Sequence, residues 1–244
     1  MDLRGIGNRQ HTKAVVWTLV CGALLMAGNP SYALYKNGDV WPKSANGSTT
    51  VPVCFIFTGE LTPAEDARQR DLVEEVLAAT WSRWTNILFT GFGTCSSPPA
   101  NATLAIALKG EAVGGAGDIP DQSKHSSGHR GFQGVSTPTW GWLKLSGTTD
   151  LRARAVITHE VGHALSFEHE QSRPDAGGFC PDGDTPLDGT IITSEYDDIG
   201  IMNYCSPAPS VSRLDIKGSQ LLYGTSDTGR WLNALPAISQ LPLF

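Results

Sequence analysis

Residues 159–175 read HEVGHALSFEHEQSRPD, and the three histidines in this stretch decide how the chain is read. His159 and His163 stand four residues apart. On a helix that spacing turns ~400°, so both rings leave one face about one turn apart and point at a common spot. Glu160 follows the first histidine, where a carboxylate can reach a water on a metal ion without being a ligand itself. His169 comes six residues after His163. A continuous helix would carry it round by ~600°, to the opposite side. For His169 to join the pair, the helix must end between them and the chain must turn back. Three histidines leave one position of a tetrahedral Zn2+ open, which a catalytic site needs and a structural site lacks. The pattern predicts one Zn2+ on His159, His163 and His169, with Glu160 as general base toward a water activated there.

The stretch resembles the metzincin signature HExxHxxGxxH. Glu170 and Arg173, after the third histidine, resemble its continuation in the astacin family of peptidases. Ile201-Met202-Asn203-Tyr204 is similar to the Met-turn of that family, and Trp41-Pro42 ahead of the first strand and the last helix ending Leu222-Tyr223-Gly224 also resemble the family. The resemblance implies an α+β fold: a metzincin-like zincin domain with a twisted, mostly parallel sheet, an antiparallel edge strand, an active-site helix, a Met-turn and a C-terminal helix. It implies a zinc metalloendopeptidase acting on polypeptides. Met202 would form an apolar floor under the zinc, Tyr204 would ligate zinc or swing to the oxyanion, and Glu170 with Arg173 would be a buried anchor behind the ligands. The bland alternative for Glu170 and Arg173 is a solvated pair.

Three positions depart from that pattern. Ser166 stands where the family has a glycine that lets the backbone turn sharply out of the helix, and a side chain there costs about 1 kcal/mol. Asn203 replaces the usual histidine beside the methionine. The arm before the domain is short, and Tyr35 to Val40 (YKNGDV) only faintly echoes the zymogen segment whose aspartate caps the zinc. Asp39 is the candidate there, and an ordinary Asn-Gly-Asp turn is the favoured reading.

Working outward, Asp150 reads as the cap of the histidine-bearing helix, which runs to about Ser166. Val51 to Phe57 (VPVCFIF), Ile87 to Phe92, Leu104 to Leu108 and Trp140 to Leu145 read as strands. Thr62-Pro63-Ala64-Glu65 opens a helix as N-cap, Pro at the first position and capping-box Glu, continuing to about Trp84. Leu72, Val76 and Ala79 form its inward stripe. Residues 110–134 and 171–200 read as irregular. Ser212 to Tyr223 is a last helix, stopped by Gly224. Strands first, then mostly helix, suits an α+β domain. Trp140 and Trp142 share a face and read as core in preference to a substrate wall. An extended substrate would pair with an edge strand, for which Leu104 to Leu108 is the candidate.

The 244 residues carry a net charge of -6, with 40% hydrophobic and 17% charged residues. This describes a soluble globular chain, and the acidic balance argues against nucleic acid as a partner. Arg4, Arg9 and Lys13 precede an apolar run from Ala14 to Gly28, and Ser31-Tyr32-Ala33 offers small residues before a cleavage point. Residues 1–33 read as a signal peptide, 34–50 as an N-terminal arm or short pro-segment, and 51–244 as the catalytic domain. A secreted or periplasmic monomer without stable membrane insertion is expected. Cys21 leaves with the peptide. Cys54, Cys95, Cys180 and Cys205 allow three pairings, of which Cys54–Cys95 and Cys180–Cys205 are expected. His125 and His129 with Asp118 and Asp121 could form a second metal site, though a polar loop is the favoured reading. Two alternatives stand beside the peptidase: a zinc-bound binding module impaired in catalysis, and a metal hydrolase of non-peptide substrates, which the extended match disfavours.

Overall fold

Alternation places Thr49, Val51, Val53 and Phe55 on one side of strand β2 (Thr49–Ile56), and all four are buried. The same holds for Ile87 and Phe89 in β3 (Ile87–Thr94) and for Leu104, Ile106 and Leu108 in β4 (Leu104–Lys109). Thr139, Leu143 and the following Leu145 supply the buried side of β6 (Thr139–Lys144). The computed structural model describes residues 34–110, 126–128, 131–176, 189–192, 195–204 and 210–227, all within the unit Ser31–Phe244. These strands form a five-stranded sheet in the order β3-β2-β4-β6-β5. The first four are mutually parallel, and the short β5 (Ser126–Gly128) is antiparallel to β6 at the edge. With helices packed against it, this mostly parallel sheet with one antiparallel edge strand gives an α+β fold, as expected.

The core lies between this sheet and helices α1 (Pro63–Ala79) and α3 (Asp150–Ala164). Leu72, Val73, Val76 and Leu77 of α1 enter it together with Val156, Ile157 and Val161 of α3. Trp81, in the short α2 (Trp81–Trp84), ties the two helices by donating its indole N–H to the Thr158 carbonyl at 3.0 Å. In a second sheet, β1 (Tyr35–Lys36) pairs antiparallel with β7 (Phe167–Glu168) on one side and with β8 (Thr190–Ile191) on the other. Helix α4 (Arg213–Tyr223) closes the described chain. Its N-terminus is a complete capping box: the Ser212 side chain accepts from the backbone of Asp215, and Asp215 accepts from Ser212 N–H.

Several expectations change. Leu104–Lys109 is not an edge strand, because β2 and β6 flank it; the edges are β3 and β5, the latter inside the stretch read as loop. Helix α1 stops at Ala79, not Trp84: Thr80 leaves helical geometry (φ -110°, ψ -95°) and its hydroxyl bonds back to the Val76 carbonyl at 2.7 Å. Ala79 is consequently exposed, and Gln69, Val73 and Leu77 complete the inward stripe. Glu65 spends its carboxylate on Arg68 and Gln69, although Thr62 caps the helix as expected. Thr149, not Asp150, caps α3. Trp142 lies on the sheet face away from the core, its ring between the Lys109 and Lys144 ammonium groups at 5.3 and 5.7 Å.

Cys54 and Cys95 are disulfide-bonded, with Cα atoms 4.9 Å apart. A bulge in β3 brings them together. Phe92 is the extra residue, and Gly91 (φ 101°) lies so close to β2 that a Cβ would stand 2.7 Å from the Val53 carbonyl oxygen. Cys180, Cys205, the 1–33 segment with Cys21, and His125, His129, Asp118 and Asp121 lie outside the described residues. Among the described residues no helix is long and apolar enough to cross a membrane.

Candidate metal centre

Helix α3 presents His159 and His163 one turn apart, as their spacing requires. Each ring is oriented by a main-chain carbonyl. His159 Nδ1 stands 2.7 Å from the Ile201 oxygen, and His163 Nδ1 stands 2.7 Å from the Phe167 oxygen. A carbonyl only accepts, so each Nδ1 carries the proton and each Nε2 keeps its lone pair. Those lone pairs converge on His169, whose Nε2 is 3.2 Å from that of His159 and 3.1 Å from that of His163. Two imidazoles on one tetrahedral Zn2+ place their nitrogens about 3.4 Å apart, from Zn–N bonds of about 2.1 Å. The donor set therefore fits zinc. Among the described residues these three histidines are the one group of this kind; the exposed Asp39 is not in it.

His169 arrives because the helix ends after Ala164 and the chain reverses at Ser166. Ser166 has φ 78°, the left-handed conformation normally left to glycine at this position beyond a helix C-terminus. The carbonyls freed at the helix end all find donors. Leu165 N–H reaches Val161 and Gly162, while Ser166 and Gly131 N–H both reach His163, each at 2.9 Å. Trp41 Nε1 donates to the Ala164 oxygen at 2.9 Å, and the Tyr223 hydroxyl donates to the Leu165 oxygen at 2.8 Å. Trp41 and Tyr223, remote from the motif in sequence, thus hold the helix end that supports it. Their fixed partners are backbone oxygens, which carry no sequence signal.

Met202 is fully buried, with its sulfur against Gly162 of α3. Its carbonyl accepts from Glu170 N–H at 3.0 Å, and Tyr204 N–H donates to Gln171 Oε1 at 3.3 Å. The Tyr204 ring stacks on His159 (centroids 5.3 Å, 24° between planes) and lies 4.1 Å from His169. Asn203, also buried, donates from Nδ2 to the Tyr196 hydroxyl and the Asp197 carbonyl, both at 2.9 Å. Glu160 sits on α3 beside His159, half-buried.

Behind the ligands lies a buried charged cluster. Glu170 and Arg173 have no exposed side-chain surface, with Arg173 donating to Glu170 at 3.1 Å and also to Asp175 and the Glu195 carbonyl. Burial raises the Glu170 carboxyl to about 7 even with Arg173 beside it. Asp215, equally buried, accepts from Ile201 N–H at 2.8 Å and Ser212 N–H at 2.7 Å. Burial, and then the neighbouring Asp197, push its carboxyl up to about 7. Burial raises Asp197 as well, while the Ser212 hydroxyl donates to it. Asp215 escaped the sequence reading, although Ser212-Arg213-Leu214-Asp215 carries a capping-box pattern that marks it.

The family model described as Astacin, a peptidase family, matches residues 143–181, which span the end of β6, all of α3 and the three histidines. No curated protein matches the chain in sequence. Among solved structures, the chain is similar to high choriolytic enzyme 1, a hatching enzyme zinc-protease from Oryzias latipes (medaka fish). That likeness has 20% identity and TM-score 0.49, covering 75% of this chain and 94% of that one. It is similar also to myroilysin, at 21% identity and TM-score 0.48, covering 75% of this chain and 95% of that one. The segment that brings the three histidines together is therefore the one that matches the Astacin peptidase family model.

Proposed function

We propose that this chain is an exported zinc metalloendopeptidase that hydrolyses peptide bonds with His159, His163 and His169 as ligands of a single Zn2+ and Glu160 as general base. The convergence of three Nε2 atoms, two of them freed by carbonyl-bound Nδ1 protons, carries this reading. Zinc, when bound, supplies the Lewis acidity that polarises the scissile carbonyl and acidifies water. Glu160 takes the proton of the attacking water and hands it to the leaving amine. The Tyr204 phenol donates a hydrogen bond to the carbonyl oxygen as charge develops there. Met202 underlies the ligands, and Glu170 with Arg173 anchors the turn that follows His169. An extended polypeptide substrate would pair with the edge strand β5. Residues 1–33 would be removed on export, and the enzyme would act as a monomer outside the cytoplasm, without a membrane anchor or nucleic acid.

The test measures zinc content and peptide-library cleavage for the wild type and Glu160→Ala. One zinc per chain in both proteins, with cleavage only in the wild type, supports the reading. Cleavage that survives Glu160→Ala and chelation overturns it. Zinc retention without cleavage by the wild type would favour a zinc-bound binding module.

A further inference from the structure

The residue that departs from its relatives in the zinc motif is fully buried and bonded through every polar atom it has. Ser166 N–H donates to the His163 carbonyl at 2.9 Å, and its own carbonyl accepts from Asn37 N–H at 3.0 Å. Its hydroxyl donates to the Asp39 carbonyl. That same oxygen accepts from Phe132 N–H at 2.7 Å. The space around the hydroxyl is kept by Gly131 (φ 69°), where a Cβ would stand 2.5 Å from both Ser166 Oγ and the Asp39 oxygen. Two of the arm residues, Asn37 and Asp39, thus close on one side chain and its backbone.

The arm continues into the metal site by a second path. Tyr35 and Lys36 pair with Glu168 and Phe167, the two residues between the Ser166 turn and His169. The Phe167 carbonyl is the group that orients His163. A glycine at position 166 would make the turn with less backbone strain, yet it would have no hydroxyl to reach Asp39. The serine trades an easier turn for a bond to the arm.

We propose that Ser166 is a positioning residue: its hydroxyl latches the arm at Asp39 onto the turn between the second and third histidines, so that retention of zinc depends on the arm. The segment from Leu34 to Trp41 is then a working part of the site and stays with the catalytic domain. The zinc half of this inference rests on the metal reading above; the latch itself does not.

The test compares the exported chain with Ser166→Gly and Ser166→Ala, using two readouts other than cleavage. One is hydrogen exchange at the Asn37 and Phe132 amides, and the other is the rate of zinc release to an excess of a metallochromic chelator. Loss of one hydrogen bond predicts about fivefold or greater acceleration of both. Ser166→Gly is the decisive variant, because it relieves the turn. Faster exchange and faster zinc release at an unlowered melting temperature assign the effect to the missing hydroxyl. Ser166→Gly that exchanges and holds zinc like the wild type overturns the proposal, whatever Ser166→Ala does. If the wild type holds zinc but cleaves nothing, the peptidase reading fails while both readouts still decide the latch. If the wild type holds no zinc, the metal reading and the zinc-retention claim fail together, and exchange decides the latch alone.

Discussion

The sulfur of Met202 fills the space that a side chain at Gly162 would need: a Cβ there would stand 2.5 Å from Sδ and 3.3 Å from Cε. Trp81 approaches the same point to 3.3 Å. The glycine inside the HEVGH helix is therefore a packing residue that lets the 200–204 turn close beneath the histidines. Gly162→Ala should destabilise the fold by about 1–3 kcal/mol through overpacking, reduced by about 1 kcal/mol of improved helix propensity. A double-mutant cycle with Met202→Ala checks the cause, with a coupling of about 1 kcal/mol expected from urea unfolding. Zero coupling would mean that the two side chains do not compete for that space.

Removing the carboxylate beside the first ligand separates binding from chemistry. Glu160→Ala should keep its zinc, because all three Nε2 donors and their carbonyl partners remain. Its kcat/KM on a peptide should fall by about 10²–10⁴-fold, the range of a positioned general base. Elemental analysis and peptide cleavage on the same preparation read both. Loss of zinc from the variant would instead make Glu160 a structural neighbour of the site.

Tyr204 touches the site through its ring, against His159 and His169, whereas its proposed role lies in the phenol. Tyr204→Phe keeps the stacking surface and loses only the hydroxyl. The expected outcome is a kcat lowered about 10²-fold with KM nearly unchanged, because the hydrogen bond forms in the transition state. A change confined to KM would show that the phenol serves substrate binding.

How much of this was legible depends on how local each signal is. His159 and His163 share a face because four residues of helix put them there, and no distant residue is consulted. The reversal before His169 could be demanded from spacing, but its form, a serine at φ 78° bonded to Asp39, could not. The carbonyls of Ile201 and Phe167 that orient the rings have no sequence signal, since every residue carries one. Two-residue strands such as Tyr35–Lys36 and Phe167–Glu168 are too short for periodicity to show. The misplaced end of α1 came from a threonine whose hydroxyl bonds back onto its own helix, a choice that propensity alone does not reveal. Leu104–Lys109 looked like a possible edge because its apolar run fits either place, and only pairing on both sides makes it interior.

The Cys54–Cys95 bond joins residues separated by 41 positions, and the loop it closes holds α1, α2 and all of β3. Cross-linking a loop of that length restricts the unfolded chain by about 4 kcal/mol in the chain-entropy model. The double variant Cys54→Ser, Cys95→Ser should lose about 2–4 kcal/mol in denaturant unfolding, while its zinc stoichiometry stays at the wild-type value. The ladder from Thr49 to Phe55 keeps β2 and β3 in register without the bond. An unchanged denaturation midpoint would show that the ladder alone restricts these ends.

The buried Asp215 links α4 to the carbonyl that orients His159, because it accepts from the N–H of the residue, Ile201, that supplies that carbonyl. Its carboxyl stands at about 7, against about 3.9 in an unfolded chain. Between those values the folded protein holds a proton that the unfolded chain has released, so stability falls as pH rises. The contribution is fully present below about pH 4 and is lost by about pH 7, with Asp197 and Glu170 as the neighbouring carboxyls. Asp215→Asn keeps an oxygen to accept from Ile201 and Ser212 but cannot titrate. Compared at the same pH, wild type and variant share the titration of their histidines, so their difference reports Asp215 together with the neighbouring Asp197 that interacts with it. Urea unfolding at about pH 4, 6 and 8 should show the variant gaining on the wild type up to about pH 7 and then holding a constant lead. A difference that stays constant across this range would mean that Asp215 is ionised throughout, held by its two N–H donors in spite of its burial.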